Sequence, residues 1–156
     1  MKFKIDIARQ QNFVIGILLI HFIFFGYICN IFEKDIGERI MFLNTILFDP
    51  NSILSLIILI GVVFFMVFRE NFYEYGIRNS IWLTPIMIGE SWIWSWFING
   101  FNITIIGVFF ISLDGYLTIL SLFAINFITA IIASIIKQKY NEYLKRTKII
   151  IDNKHI

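Results

Sequence analysis

The stretch Glu70–Trp96, ENFYEYGIRNSIWLTPIMIGESWIWSW, decides the fold because it separates two long hydrophobic runs and differs from both. It carries two glutamates and an arginine spaced four residues apart, then an isolated proline, a third glutamate and three tryptophans. This density of polar residues between apolar runs indicates a connection between membrane spans, and the charge pattern of the whole chain indicates which face it occupies.

The composition is that of a membrane protein. The chain has 156 residues, of which 58% are hydrophobic, 18% aromatic and only 15% charged, and its mean hydropathy is +0.79. Soluble domains are about half apolar and about a quarter charged. The single cysteine, Cys29, excludes an intramolecular disulfide and a cysteine metal cluster. The many Ile, Phe, Asn and Lys residues are typical of a low-GC bacterium.

Four continuous apolar runs predict an all-α integral membrane protein with a single membrane domain. The predicted spans are about 12–32, 52–68, 91–113 and 116–136, followed by a tail at 137–156. A tight turn at Asp114-Gly115 should join the third and fourth spans.

Residues 33–51 connect the first two spans. Ile36, Ile40, Leu43 and Leu47 recur at helical spacing, which predicts an amphipathic helix on the membrane surface. A solvated loop is the alternative.

The distribution of positive charge sets the orientation. Of the 13 Lys and Arg residues, only Lys34 and Arg39 lie in residues 33–51 and 114–115. Because cytoplasmic connections are enriched in Lys and Arg, both termini and the segment 70–90 should face the cytoplasm. The predicted localisation is the cell membrane, with multiple spans.

Charged and aromatic residues mark this cytoplasmic segment. Glu74 precedes Arg78 by four residues, the favourable order for an ion pair on a helix, and Pro85 should end or kink that helix. Glu90, at the mouth of the third span, is favoured there by the helix dipole or serves function. Four tryptophans are predicted at the interface, where they suit an aromatic belt: Trp82, Trp92, Trp94 and Trp96.

The segment Glu74-Tyr75-Gly76-Ile77-Arg78-Asn79, followed by Pro85-Ile86, resembles the loop between the second and third spans of type-2 ABC exporter permeases. The lantibiotic-protection and bacteriocin-associated permeases are the most similar in character. The resemblance implies a coupling helix that docks on a separate ATPase subunit. It assigns this role to five residues: Glu74, Gly76, Arg78, Asn79 and Pro85.

This chain departs from the family pattern in two ways. Ile77 and Glu90 stand where the family usually has Thr and Lys. The family usually has six spans, so a four-span chain would be a shortened or split relative, associating with itself or with another permease subunit.

Three polar residues are predicted near the centres of the spans. His21, Asn102 and Asn126 should make a layer at the bilayer midplane. Their role is either hydrogen bonding between helices or a pathway for substrate or protons. The basic tail would attract anionic membrane lipid or simply set the topology.

The sequence offers no phosphate-binding loop and no metalloprotease motif. We therefore expect no catalytic residues, no metal, no cofactor and no nucleic-acid partner. The predicted function is the membrane subunit of an ABC-type exporter that moves or expels an amphipathic peptide or apolar compound. The alternative is a four-span bacteriocin immunity or scaffold protein that acts by binding, and a holin-like pore former is a third possibility.

Overall fold

The computed structural model describes residues 7–26, 53–70 and 72–154, and every secondary-structure element in these ranges is helical. This confirms the prediction of an all-α fold. Helix α1 (Ile7–Leu19) continues into a π-helical turn (Ile20–Phe25). The surface helix predicted at residues 33–51 lies outside the described residues, as does the end of the first predicted span.

Four further helices follow. They are α2 (Ile53–Arg69), α3 (Tyr73–Asn99), α4 (Thr104–Ile111) and α5 (Leu113–Lys154). Helix α5 packs against both α2 and α3, which also pack against each other. Helix α1 and the π-helical turn cover α2 and touch α3, and α4 packs on α5.

The core is built from apolar side chains that converge from every helix after α1. Its fully buried members include Phe24 and Phe25 of the π-helical turn, Val63 and Val67 of α2, Leu83 and Met87 of α3, Phe109 of α4, and Leu122 of α5. Small residues on α5, Ala130 and Ala133, are also fully buried. Small residues let membrane helices approach closely.

One helical stretch in the described part of the chain, Leu113–Thr147, is long and apolar enough to cross a membrane. The apolar stretches Gln10–Phe25 and Ile53–Arg69 are shorter. The coarse prediction of an apolar helical protein with a membrane-competent helix therefore holds.

Helix α3 differs from the predicted pattern. It runs without a break from Tyr73 through Pro85 into the first part of the predicted third span. Pro85 is exposed, while Leu83, Thr84, Met87 and Ile88 on either side of it are buried. Packing on both sides of the proline holds the helix together across the missing N–H group.

The predicted third span is interrupted at Gly100. This residue has φ +88° and ψ 162°, a backbone conformation that residues other than glycine rarely adopt. The chain therefore leaves α3 at Asn99 and restarts as α4 at Thr104. The second break falls at Ser112, and Asp114 lies in the first turn of α5 instead of in a tight turn.

Candidate functional site

The α2–α3 junction, comprising Val67–Glu70 and Phe72–Asn79, holds four of the five residues assigned to a coupling helix. Its centre is Glu70, whose side chain is buried. Asn79 Nδ2 donates to Glu70 Oε1 over 3.2 Å. A buried carboxylate requires a hydrogen-bond partner, and this bond fixes the start of α3 to the end of α2.

Gly76 brings the two helices of the junction together. A Cβ atom at this position would lie 2.9 Å from Val67 Cγ1 and 3.3 Å from Val67 Cα. Because the second of these atoms belongs to the backbone, the contact tolerates only glycine without a shift of α2 or α3. The glycine carried over from the permease motif therefore has a packing role here.

Glu74 and Arg78 are exposed on the same part of α3. No ion pair joins them within the described ranges; instead, the Arg78 guanidinium lies over the Tyr75 ring, 4.8 Å from its centroid. A cation over an aromatic face is a stabilising contact. Because Arg78 lies on Tyr75, the Glu74 carboxylate remains exposed at the surface of the α2–α3 junction.

Pro85 lies apart from the other four coupling residues. It is seven residues beyond Arg78, about 10 Å along the helix axis, and it is exposed on the side of the bundle. The structure therefore gathers Glu74, Gly76, Arg78 and Asn79 at one end of the bundle and leaves Pro85 on its side.

The predicted midplane layer does not form. Asn102 lies in the connection between α3 and α4, where it is exposed. Its Oδ1 accepts hydrogen bonds from the backbone N–H and the hydroxyl of Thr104, at 3.0 and 2.6 Å. Asn102 thus helps to start α4. This role was not predicted, because the prediction placed Asn102 inside a continuous third span.

Asn126 is fully buried between α5 and α3. Its Nδ2 donates to Thr84 Oγ1 over 3.1 Å, while its Oδ1 has no partner among the described residues. This contact is the hydrogen bond between helices that the sequence analysis offered as one of two roles for the residue.

His21 meets Glu90 instead of Asn102 or Asn126. Nδ1 of His21 lies 2.7 Å from Oε2 of Glu90, in a contact that joins the π-helical turn to α3. The Trp94 ring packs on the imidazole, with the ring centroids 5.2 Å apart. Glu90 and Thr84 are six residues apart, so this pair lies about 9 Å along α3 from the Asn126 contact.

The four tryptophans do not share one level along α3. Trp82 is 61% exposed and lies about 15 Å along the axis from Trp92. Trp92 packs edge-on against Phe109 and Phe110 of α4, and Trp96 Nε1 donates to the Asn102 carbonyl over 3.0 Å. Three of the four therefore pack against other parts of the bundle, and Trp82 alone projects outward.

Sequence reasoning missed Glu70 and the pairing of His21 with Glu90. The sequence analysis assigned Glu70 no role of its own, because no local signal showed its burial. His21 and Glu90 are 69 residues apart, but each is an ionisable residue inside an apolar run, which is itself a signal of pairing. No group of three or more His, Cys, Asp or Glu residues able to hold a metal occurs in the part of the chain that the structure describes.

Comparison of the chain with protein-family models, with curated proteins and with solved structures gives no match. The permease resemblance therefore rests on the motif residues Glu74–Asn79 and Pro85-Ile86 alone.

Proposed function

We propose that the protein is the membrane subunit of an ABC-type exporter, which moves or expels an amphipathic peptide or an apolar compound together with a separate ATPase subunit. The observation that supports this proposal is the α2–α3 junction: an exposed carboxylate and an exposed guanidinium project from a helix end that is itself rigidly fixed.

Rigid attachment is what a coupling element requires. A docking partner that pulls on Glu74 or Arg78 acts on α3 directly, and α3 is joined to α2 by Gly76 and to Glu70 by Asn79. Because α3 continues unbroken to Asn99, such a displacement reaches the Thr84 and Glu90 contacts in the bundle. The ATPase would thereby alter the packing of α3 against α1 and α5.

In this proposal the chain is a multi-pass protein of the cell membrane with the α2–α3 junction in the cytoplasm. The exposed apolar side chains of α5 then face lipid, and the basic residues after Ile136 lie at the cytoplasmic surface, where they attract anionic headgroups. The small bundle would associate with a second copy or with another permease subunit to enclose a transport path.

The test is co-purification of a nucleotide-hydrolysing subunit from membranes of the natural host in mild detergent. The double variant Glu74→Arg/Arg78→Glu should lower recovery of that subunit about tenfold, a loss of about 1.4 kcal/mol in binding. Glu142→Arg reverses an exposed charge on α5 and is the matched control. The proposal fails if no ATPase is recovered, or if the double variant recovers as much as the wild type.

A second candidate is a bacteriocin immunity or scaffold protein that binds a peptide in the membrane without an ATPase. The proposed coupling residues lie within the long helix α3 and do not form a short helix of their own. This favours the second candidate, because it needs no coupling helix. Protection of cells by a chain that recovers no ATPase would select this alternative.

A further inference from the structure

We propose that His21 and Glu90 form a proton-binding site inside the helical bundle, in which Nδ1–H of His21 donates to the Glu90 carboxylate and the proton that binds and leaves is held on Nε2. The proposal does not depend on an ATPase partner. It rests first on the distance of 2.7 Å between the two atoms. Hydrogen bonds from ionised nitrogen donors to carboxylates are typically about 2.7–2.9 Å long.

Aromatic rings surround the pair. The imidazole packs edge-on against Phe22 and face-tilted against Trp94, with centroid distances of 4.9 and 5.2 Å. The side chains of His21 and Glu90 are 32% and 16% exposed. The carboxylate is thus the more enclosed partner of the pair.

Other titratable groups on the helices packed against the π-helical turn lie far along their axes. Helices α1 and α2 each hold one, Arg9 and Arg69. Arg9 is twelve residues from His21, about 18 Å along a helix, and Arg69 is the last residue of α2. On α3 the remaining titratable residues precede Glu90 by twelve or more positions: Tyr73, Glu74, Tyr75 and Arg78.

The π-helical turn itself is the second structural observation. It spans Ile20–Phe25, directly after α1, and places Ile20, Phe24 and Phe25 in the core. The wider turn leaves His21 at the edge of the core, against α3. Single π-helical turns occur frequently at functional sites because they re-aim side chains in this manner.

The net charge of the His21–Glu90 pair indicates that its ligand is a proton. With the proton bound, an imidazolium and a carboxylate face each other and the net charge of the pair is zero. When the proton leaves, a neutral imidazole and a carboxylate remain, with net charge −1. An uncompensated charge in apolar surroundings is costly, so the pair is built to hold one proton.

Release of the proton also weakens the contact between helices. The bond between Nδ1 and Oε2 changes from one between two ionised groups to one from a neutral donor, and bonds between ionised groups are the stronger. Proton binding at this site would therefore tighten the packing of the π-helical turn on α3.

The experiment is nitrogen NMR of the full chain in lipid nanodiscs with ¹⁵N-labelled histidine. The chain has two histidines, so His155→Gln leaves His21 as the only signal. In this background, Glu90→Gln should move the Nδ1 signal of His21 away from its wild-type position, because the charged acceptor of the hydrogen bond is removed. Glu142→Gln, which removes an exposed carboxylate on α5, should leave both nitrogen signals of His21 unchanged.

A second readout needs no change at Glu90. If the carboxylate accepts from Nδ1, the neutral form of His21 should carry its proton on Nδ1, and only Nε2 should change with pH. The tautomer is set by the hydrogen bond that the ring makes. A neutral His21 protonated on Nε2, or an Nδ1 signal that is the same in Glu90→Gln as in the parent, would overturn the proposal.

Discussion

Asn126 on α5 donates a hydrogen bond to Thr84 on α3 across the interface between these two helices, and both side chains are buried. This bond fixes the register of α3 and α5 relative to each other. Its partners are 42 residues apart, so the bond forms only when α3 and α5 have come together.

Replacing Asn126 by leucine should weaken this helix contact. Hydrogen bonds between membrane helices contribute about 0.6 kcal/mol on average and up to about 1.7 kcal/mol, and we expect a loss in that range. The measurement is the free energy of unfolding in mild detergent, titrated with SDS. A double-mutant cycle with Thr84→Val isolates the bond, and a coupling energy of zero would contradict its contribution.

Replacing Gly76 by alanine should destabilise the α2–α3 junction by about 1–3 kcal/mol, because the new methyl group overlaps Val67. Gly89→Ala is the matched control on the same helix, since nothing lies within 4 Å of a Cβ atom there. Alanine is the better helix former, so Gly89→Ala should be neutral or slightly stabilising. Equal unfolding free energies for the two variants would show that the contact with Val67 is loose.

Replacing Asn79 by leucine should leave the buried Glu70 carboxylate without its amide donor. The expected loss is about 1–3 kcal/mol, the usual result of leaving a buried polar group unsatisfied. Asn141→Leu, at an exposed position of α5, is the control in the same SDS titration. If both variants unfold like the wild type, Asn79 does not anchor Glu70.

Replacing Gly100 by alanine should strain the connection between α3 and α4, because its φ of +88° disfavours any side chain. We expect a cost of about 1–3 kcal/mol, measured by thermal unfolding followed by circular dichroism. Gly107→Ala, inside α4 with open space around its Cα, should cost nothing. A Gly100→Ala variant as stable as Gly107→Ala would mean that the connection can adopt another backbone path.

The helical class of the fold was predictable because continuous apolar runs admit few other solutions. The interruption at Gly100 was not predicted, although Asn99-Gly100 is a dipeptide that often marks a turn. The Phe and Ile residues around Gly100 keep the mean hydropathy of this region high, because that mean is taken over a window wider than one helical turn. As a result, Asn102 was placed in a span instead of in a connection.

The contact between Glu90 and His21 is an example of a feature that local sequence patterns do not predict. Glu90 was predicted at the mouth of the third span, where either the helix dipole or a functional role would account for it, and Pro85 was expected to end or kink the preceding helix. Packing on both sides of Pro85 overrode the local preference and carried Glu90 into the bundle, where it meets His21. Contacts between distant segments decide such cases, and single-sequence patterns do not encode them.

Helix α5 has 42 residues, which corresponds to a length of about 63 Å. The hydrocarbon core of a bilayer is only about 30 Å thick. The 17 residues that follow Lys137 to the end of the helix extend about 26 Å further along the same axis. A rigid rod of that length magnifies small tilts: a rotation of about 10° about Lys137 displaces its far end by about 4–5 Å. Small changes in packing around Asn126 would thus become measurable as changes in distance between a spin label near the far end of α5 and a second label at Glu74 on α3.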